Sequence, residues 1–270
     1  MTRTLLAVSL LATASAPALA GGLDRTGLPI DILFAEGNYA EFGVSRTLPT
    51  ISGVGTGDAA GALDPLVTPN FRYDGVGLAF NNVQAGVKVD LGERLSGALL
   101  FDQPFGSDIE YNGDPDMTEL GGTRAIANSD MLTAMLRYEF DDNWSAHGGL
   151  RFDWADGEID LRGLAYGLPS TLTFSGFPPG LPQIVPVGTP GVAPKDPTRF
   201  VDGFNGYSVE LDRRMDVGYL VGFAYEIPEI ALRFALTYNS EIKHDFDTTE
   251  FFRGQQIGTS TTEVTLPQSV

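Results

Sequence analysis

His147 and His244 are the only imidazoles in the 270-residue chain, and there is no cysteine. Thiolate zinc sites, iron–sulfur clusters and disulfides are therefore excluded, and imidazole metal sites nearly so. The sequence contains no G-x-S-x-G, H-E-x-x-H or P-loop signature. A serine hydrolase needs a histidine base beside its nucleophile. His147 falls on the polar register of an alternating run, and His244 lies where another run enters a loop, so neither has a serine partner the sequence can assign. Asp108, Glu110, Asp114 and Asp116 supply oxygen ligands that suit Ca²⁺ or a bridge to lipopolysaccharide, but a solvated acidic loop explains them more simply. No catalytic residue, metal ligand or cofactor site emerges, and the expected activity is not enzymatic.

The remaining ionisable residues with a recognisable placement are Arg137, Glu139, Arg151, Asp153, Arg233, Glu241 and Lys243. All fall on one face of strand-like runs. Two readings fit: paired charges that fill the interior of a barrel, or the lining of a polar path.

The elements that must position these side chains have a period of two. Leu132, Ala134, Leu136, Tyr138 and Phe140 alternate with Thr133, Met135, Arg137 and Glu139. The pattern restarts as Trp144, Ala146, Gly148, Leu150, Phe152 and Trp154 after Asp141-Asp142-Asn143. It recurs over Val217–Tyr225 and Ile230–Tyr238. Such alternation indicates strands with one apolar and one polar face. Weaker runs add strands near Tyr39–Leu48, Val83–Asp90, Leu95–Gln103 and Thr259–Leu266, making about eight. A switch of apolar parity between Trp154 and Ile159 predicts a bulge or barrel exit there.

Short connections (Leu91–Arg94, Asp141–Asn143, Ile227–Glu229) alternate with long ones near 49–80, 104–128, 163–208 and 244–258. Tight turns at one end and long loops at the other are the mark of an outer-membrane barrel. Tyr138, Phe140, Trp144 and Tyr225 gather beside the short turns, where an interfacial aromatic girdle belongs. The fold class expected is all-β, an antiparallel transmembrane β-barrel.

Composition agrees. With 35 acidic against 17 basic residues, the net charge of −18 repels nucleic-acid phosphates, which rules that partner class out. Met1–Ala20 has a basic start (Arg3), an apolar run from Leu5 to Ala12 broken by Ser9, and Ala18-Leu19-Ala20 as a cleavage site. This segment, 1–20, reads as a secretory signal peptide. No later segment approaches 18 consecutive apolar residues, so no membrane helix is expected. The stretch Gly167–Gly206 holds eight prolines and seven glycines yet keeps Leu172, Phe174, Phe177, Leu181, Ile184 and Val185, more apolar than an ordinary linker.

Several blocks resemble the FadL family of outer-membrane transporters for long-chain fatty acids and other hydrophobic compounds. One is Leu136-Arg137-Tyr138-Glu139-Phe140 through Asn143-Trp144-Ser145, continuing to Gly157-Glu158-Ile159-Asp160. A more specific one is Val221–Tyr225 followed by Ala235-Leu236-Thr237-Tyr238-Asn239-Ser240-Glu241-Ile242-Lys243-His244-Asp245-Phe246, and a third is Val264-Thr265-Leu266-Pro267. The resemblance implies a barrel of about fourteen strands plugged by a small N-terminal hatch. Ligand is captured by extracellular loops, passes to an interior pocket and leaves through a lateral opening at a kink in the third strand, by diffusion down its gradient.

Carried onto this sequence, the resemblance implies a hatch over 21–38 with Leu28, Ile30, Ile32, Leu33 and Phe34 as pocket contacts. It implies a lateral gate at Phe101, Phe105 and Gly106, glycine there permitting strained dihedrals, and loop capture by Phe174, Phe177, Leu181 and Ile184. Barrel strands occupy 39–270. The implied partners are long-chain fatty acids or hydrocarbons, outer-membrane lipid and lipopolysaccharide, with the protein a monomer. Because the chain stops at Val270, where the family's Leu-Pro block leads into further strands, the C-terminal strands are expected to be missing. The alternatives are a small structural or adhesive barrel without transport, a lipid-modifying enzyme, and a hydrophilic porin.

Overall fold

The computed structural model describes residues 24–56, 67–166 and 205–270. Its strands are β1 (Tyr39–Thr47), β2 (Ser52–Val54), β3 (Arg72–Asp74), β4 (Phe80–Asp90), β5 (Leu95–Asp102), β6 (Gly106–Glu110), β7 (Arg124–Glu139), β8 (Trp144–Leu161), β9 (Tyr207–Ile227), β10 (Leu232–Asn239), β11 (Ile242–Phe252) and β12 (Gln255–Leu266). Ten of these form one antiparallel sheet, while β2 and β3 pair separately. No α-helix occurs among the described residues.

Two pairs of strands are halves of one. β5 and β6 both lie along β7, and β10 and β11 both lie along β9. The sheet is thus a meander of eight wall positions: β1, β4, β5/β6, β7, β8, β9, β10/β11 and β12. β1 and β12 are its edges and are not paired with each other among the described residues.

The sheet is inside out. On β8, Leu150 is 50% exposed while its neighbour Arg151 is 3% exposed. Leu136, Val217, Tyr219, Val221, Phe223, Phe234 and Leu236 are exposed on the same outer face, whereas Ser129, Thr133, Ser145, His147 and Asp153 are buried on the inner one. A continuous apolar exterior of this kind is the surface a lipid bilayer solvates. On β9 it runs from Tyr225 to Met215, about 33 Å along the strand at about 3.3 Å per residue. Tilted by about 45°, it stands about 23 Å tall, close to the apolar band of outer-membrane barrels. Arg213, paired with Asp130 at 2.5 Å and Asp156 at 3.4 Å, follows immediately above. At the other end the Tyr138–Phe140 and Trp144–Tyr225 ring pairs, 5.6 and 4.8 Å between centroids, border the short turns.

The predicted bulge is present: the β8–β9 register shifts between Ala155 and Gly157. The loop expected over 244–258 is instead most of β11, a turn at Arg253-Gly254, and the first residues of β12. β11 escaped notice because its outward side chains are Lys243, Asp245 and Asp247, while His244, Phe246 and Thr248 point inward. It rises past the apolar band, so it lacks the alternation that betrays the other strands. Arg253 and Gly254 both have positive φ, 49° and 78°, which suits a two-residue hairpin turn. The expected loop 104–128 likewise contains β6 and the start of β7, and the expected loop 49–80 contains β2 and β3. Of the expected loop 163–208, residues 167–204 lie outside the described residues, and β9 begins at Tyr207.

Candidate functional site: the hatch and a window in the wall

Residues 24–38 run across the inner face of the sheet. Their anchor is a single 3-10 turn, Asp31–Phe34, in which Ile32, Leu33 and Phe34 are buried. These three, with partly buried Ile30, make a common core with Ala98, Leu100, Met135, Leu220 and Ala224 from β5, β7 and β9. β4 contributes a glycine for the purpose: a Cβ on Gly86 would lie 2.4 Å from Cδ1 of Ile32. Phe34 is gripped more specifically. The guanidinium carbons of Arg137 and Arg233 stand 4.7 and 4.4 Å from its ring centroid, and Glu226 binds both arginines. Arg–aromatic contacts of this type contribute about 0.5–2 kcal/mol each.

The hatch begins in a break of the wall. β5 ends at Asp102 and β6 starts at Gly106. Against β7, Asp102 is opposite Met131 and Gly106 opposite Asn128, so Gln103-Pro104-Phe105 faces only Ser129 and Asp130, one residue too many. On its other side the break is open. The β4–β5 ladder stops at Ala85–Phe101, and β4 does not pair with β6. Backbone–backbone contact between the flanks resumes only where Leu78 N donates to Asp108 O (2.9 Å) and Glu110 N to Val76 O (2.9 Å). A window results, bounded by residues 79–84 on one side and 102–107 on the other.

The start of the hatch fills this window. Asp24 bridges Phe105, Arg25 N donates to Pro104 O at 2.7 Å, and Thr26 Oγ1 donates to Asp102 Oδ2 at 3.0 Å. The Arg25 guanidinium lies 4.1 Å from the centre of the Phe80 ring. Burial draws its pKa below the ordinary guanidinium value, and Asp108 partly offsets this. On the outward register Gln103 accepts from Val83 N at 3.1 Å and donates to Asp130 at 2.8 Å.

Behind the hatch is a polar interior. His244 Nδ1 faces Asp216 and Nε2 faces Asp153, each at 3.0 Å. Ser129 Oγ donates to the other oxygen of Asp153 at 2.6 Å, so β7, β8, β9 and β11 are tied together. His147 Nε2 contacts Thr237 Oγ1 at 2.8 Å, and Phe34 meets its ring edge-on at 5.9 Å. Both nitrogens of His244 are engaged by carboxylates, and no serine hydroxyl bonds either histidine among the described residues. Asp108, Glu110, Asp114 and Asp116 do not converge; Asp114 instead caps a local turn, accepting from Asp116 N at 2.9 Å. No cluster of three or more His, Asp or Glu arranged to hold a metal ion occurs among the described residues.

Leu28, Ile30, Ile32, Leu33 and Phe34 are thus all brought to the inner face, Ile32 and Leu33 as filling and Phe34 as the floor of an open space. The space beside Leu28 and Ile30 is a cavity of about 10 Å³. A space of about 880 Å³ lies at the short-turn end, floored by Phe34 and rimmed by Lys88, Arg94, Arg137, Glu226 and Arg233. Phe101, Phe105 and Gly106 border the window. Gly106 keeps its pairing with Asn128, and its φ is not positive. The reason for glycine there is space and not backbone strain: a Cβ would lie 2.3 Å from Cζ of Arg25. Phe174, Phe177, Leu181 and Ile184 lie outside the described residues. Arg25, Phe80 and Gln103 were missed. Their only sequence signal is Pro104, which cannot donate to a ladder and so marks a broken strand.

No protein-family model matches the sequence, and no curated protein matches it. Among solved structures the chain is similar to the crystal structure of a Pseudomonas aeruginosa FadL homologue. The two share 13% sequence identity with a TM-score of 0.44, over 80% of this chain and 45% of that one. The chain therefore spans less than half the length of that protein.

Proposed function

We propose that the chain forms part of an outer-membrane barrel that passes long-chain fatty acids or similar hydrophobic molecules without an energy source of its own. The observation that carries this reading is the window between β4 and β6, set in a wall with an apolar exterior and stopped from within by the start of the hatch. A hydrophilic porin conducts along its axis and has no use for a lateral break in its wall. The resemblance to the FadL family supplies the substrate class. Capture by Phe174, Phe177, Leu181 and Ile184 comes first, then passage past the hatch residues Leu28–Phe34, then exit beside Phe101, Phe105 and Gly106. Transfer of an acyl chain from water contributes about 0.8 kcal/mol per CH₂, so apolar loops concentrate such ligands without covalent chemistry. In this reading residues 1–20 direct export, and the protein sits in the membrane as a monomer among lipid and lipopolysaccharide.

The test is uptake of radiolabelled oleate by liposomes containing the full chain. Oleate should enter faster than into protein-free liposomes, and Phe174→Asp and Phe177→Asp should weaken capture. Ion conductance that oleate does not block, or no oleate binding at all, overturns the reading in favour of a porin or a structural barrel.

A further inference from the structure

The hatch backbone lies along the β5/β6 flank of the window. Closure towards β4 is made by two side chains, one on each face, and we infer that Arg25 and Gln103 form a latch that must release before a hydrophobic molecule can cross the wall. The inference rests on the passage proposed above. Over residues 80–84 of β4 the ladder to the next strand is lost, and side chains do what backbone does elsewhere. On the outer face Gln103 spans the break, its amide joined to Val83 N and to Asp130. On the inner face the Arg25 guanidinium covers Phe80, which shares the inward register of buried Asn82.

This closure is built to give way. Arg25 is tethered through its backbone to Pro104, but its side chain rests on an aromatic face, and its buried Nε has no hydrogen-bond partner. Asn82 Oδ1, Asp102 Oδ1 and Asp108 Oδ1, around the same window, are likewise buried without a protein partner. Arg124 Nε on β7 and His147 Nδ1 on β8 share this deficit singly, but among the described residues only at the window do four such atoms gather. Gly106 completes the design, because any side chain there would occupy the place of the guanidinium. An apolar chain arriving from the interior can take over the Phe80 ring once Arg25 swings away, a rotamer change that leaves the hatch core in place.

The experiment uses the full chain in liposomes with two readouts. Arg25→Ala, Gln103→Ala and Gly106→Ala should each speed oleate entry several-fold, and Arg25→Ala with Gln103→Ala more than either alone. Independently of transport, Asn82→Cys should react slowly with a membrane-soluble maleimide and several-fold faster once Arg25→Ala is added. Phe80→Leu, which removes the ring but keeps an apolar strand residue, should accelerate labelling too and guards against a misfolded Arg25 variant. Labelling that Arg25→Ala and Phe80→Leu both leave unchanged overturns the latch, whether or not oleate moves. Faster labelling with no oleate entry in any variant upholds the latch and overturns the passage.

Discussion

Arg233 holds Phe34 twice: its Nη2 donates to the Phe34 carbonyl at 3.3 Å, and its guanidinium carbon lies 4.4 Å from the ring centroid. The residues are 199 positions apart in sequence, so this pair fastens the hatch to β10 near the short-turn end of the wall. Phe34→Leu keeps an apolar plug but removes the ring that Arg137 and Arg233 share. It should loosen the hatch by about 1–4 kcal/mol, as for two arginine–aromatic contacts. Hydrogen exchange at Leu33 and Ala35, whose amides close the turn onto Ile30 and Ile32, reports this directly. Unchanged exchange there would show that apolar packing alone holds the hatch.

The turn between β7 and β8 carries a pH dependence of known sign. Asp141 accepts backbone N–H groups from Asn143 at 2.9 Å and Trp144 at 2.7 Å. Those bonds hold its carboxyl below the ordinary aspartate pKa. A carboxylate depressed on folding stabilises fully above its unfolded pKa, and that stability is lost as pH falls through the folded value. The Trp144 amide resonance should therefore stay constant down to the ordinary aspartate range and move only below it. Asp141→Ala should abolish the titration. Movement centred at or above the ordinary value contradicts the geometry.

How much of this could be read from the chain differs by element. Leu136, Leu150 and Phe223 announced their strands because a bilayer demands apolar side chains at every second position. β11 gave no such signal, since above the apolar band its outward Lys243, Asp245 and Asp247 look like any loop. The gate expected near Gly106 came from the family resemblance, and nothing in the local sequence showed what causes the break there. That cause is Arg25, 81 positions earlier, and a contact between distant segments leaves no local periodicity. For the same reason the hatch residues were recognisable as apolar but not as tightly packed. Whether Ile32 lines a pocket or fills one depends on Gly86 across the sheet.

His244 ties two carboxylates together within the polar interior. It is 1% exposed and lies between Asp153, itself fully buried, and the partly exposed Asp216. Removing one member of a buried ionic cluster leaves the other charge uncompensated and costs about 3–5 kcal/mol. His244→Leu should therefore lower the urea midpoint of the protein refolded in lipid vesicles by that equivalent. Changing Asp153 to Asn in the same chain should restore part of the loss, because the orphaned charge is then gone. A single substitution without effect would mean that water already solvates Asp153.

Neighbours Leu150 and Arg151 give a direct test of which face meets lipid. Leu150 points out of the sheet among Val87, Leu99 and Leu136, while Arg151 points in, donating to Met131 Sδ at 3.4 Å. In a bilayer Leu150→Arg places a charge in hydrocarbon and should cost about 2–4 kcal/mol near the midplane, less towards either interface. In a water-soluble sheet the same change would relieve an exposed apolar surface and cost nothing. Refolding of Leu150→Arg into vesicles of thin and thick bilayers separates the cases. Destabilisation that grows with bilayer thickness fits a wall buried in lipid, and a variant as stable as the parent in every bilayer rules that orientation out.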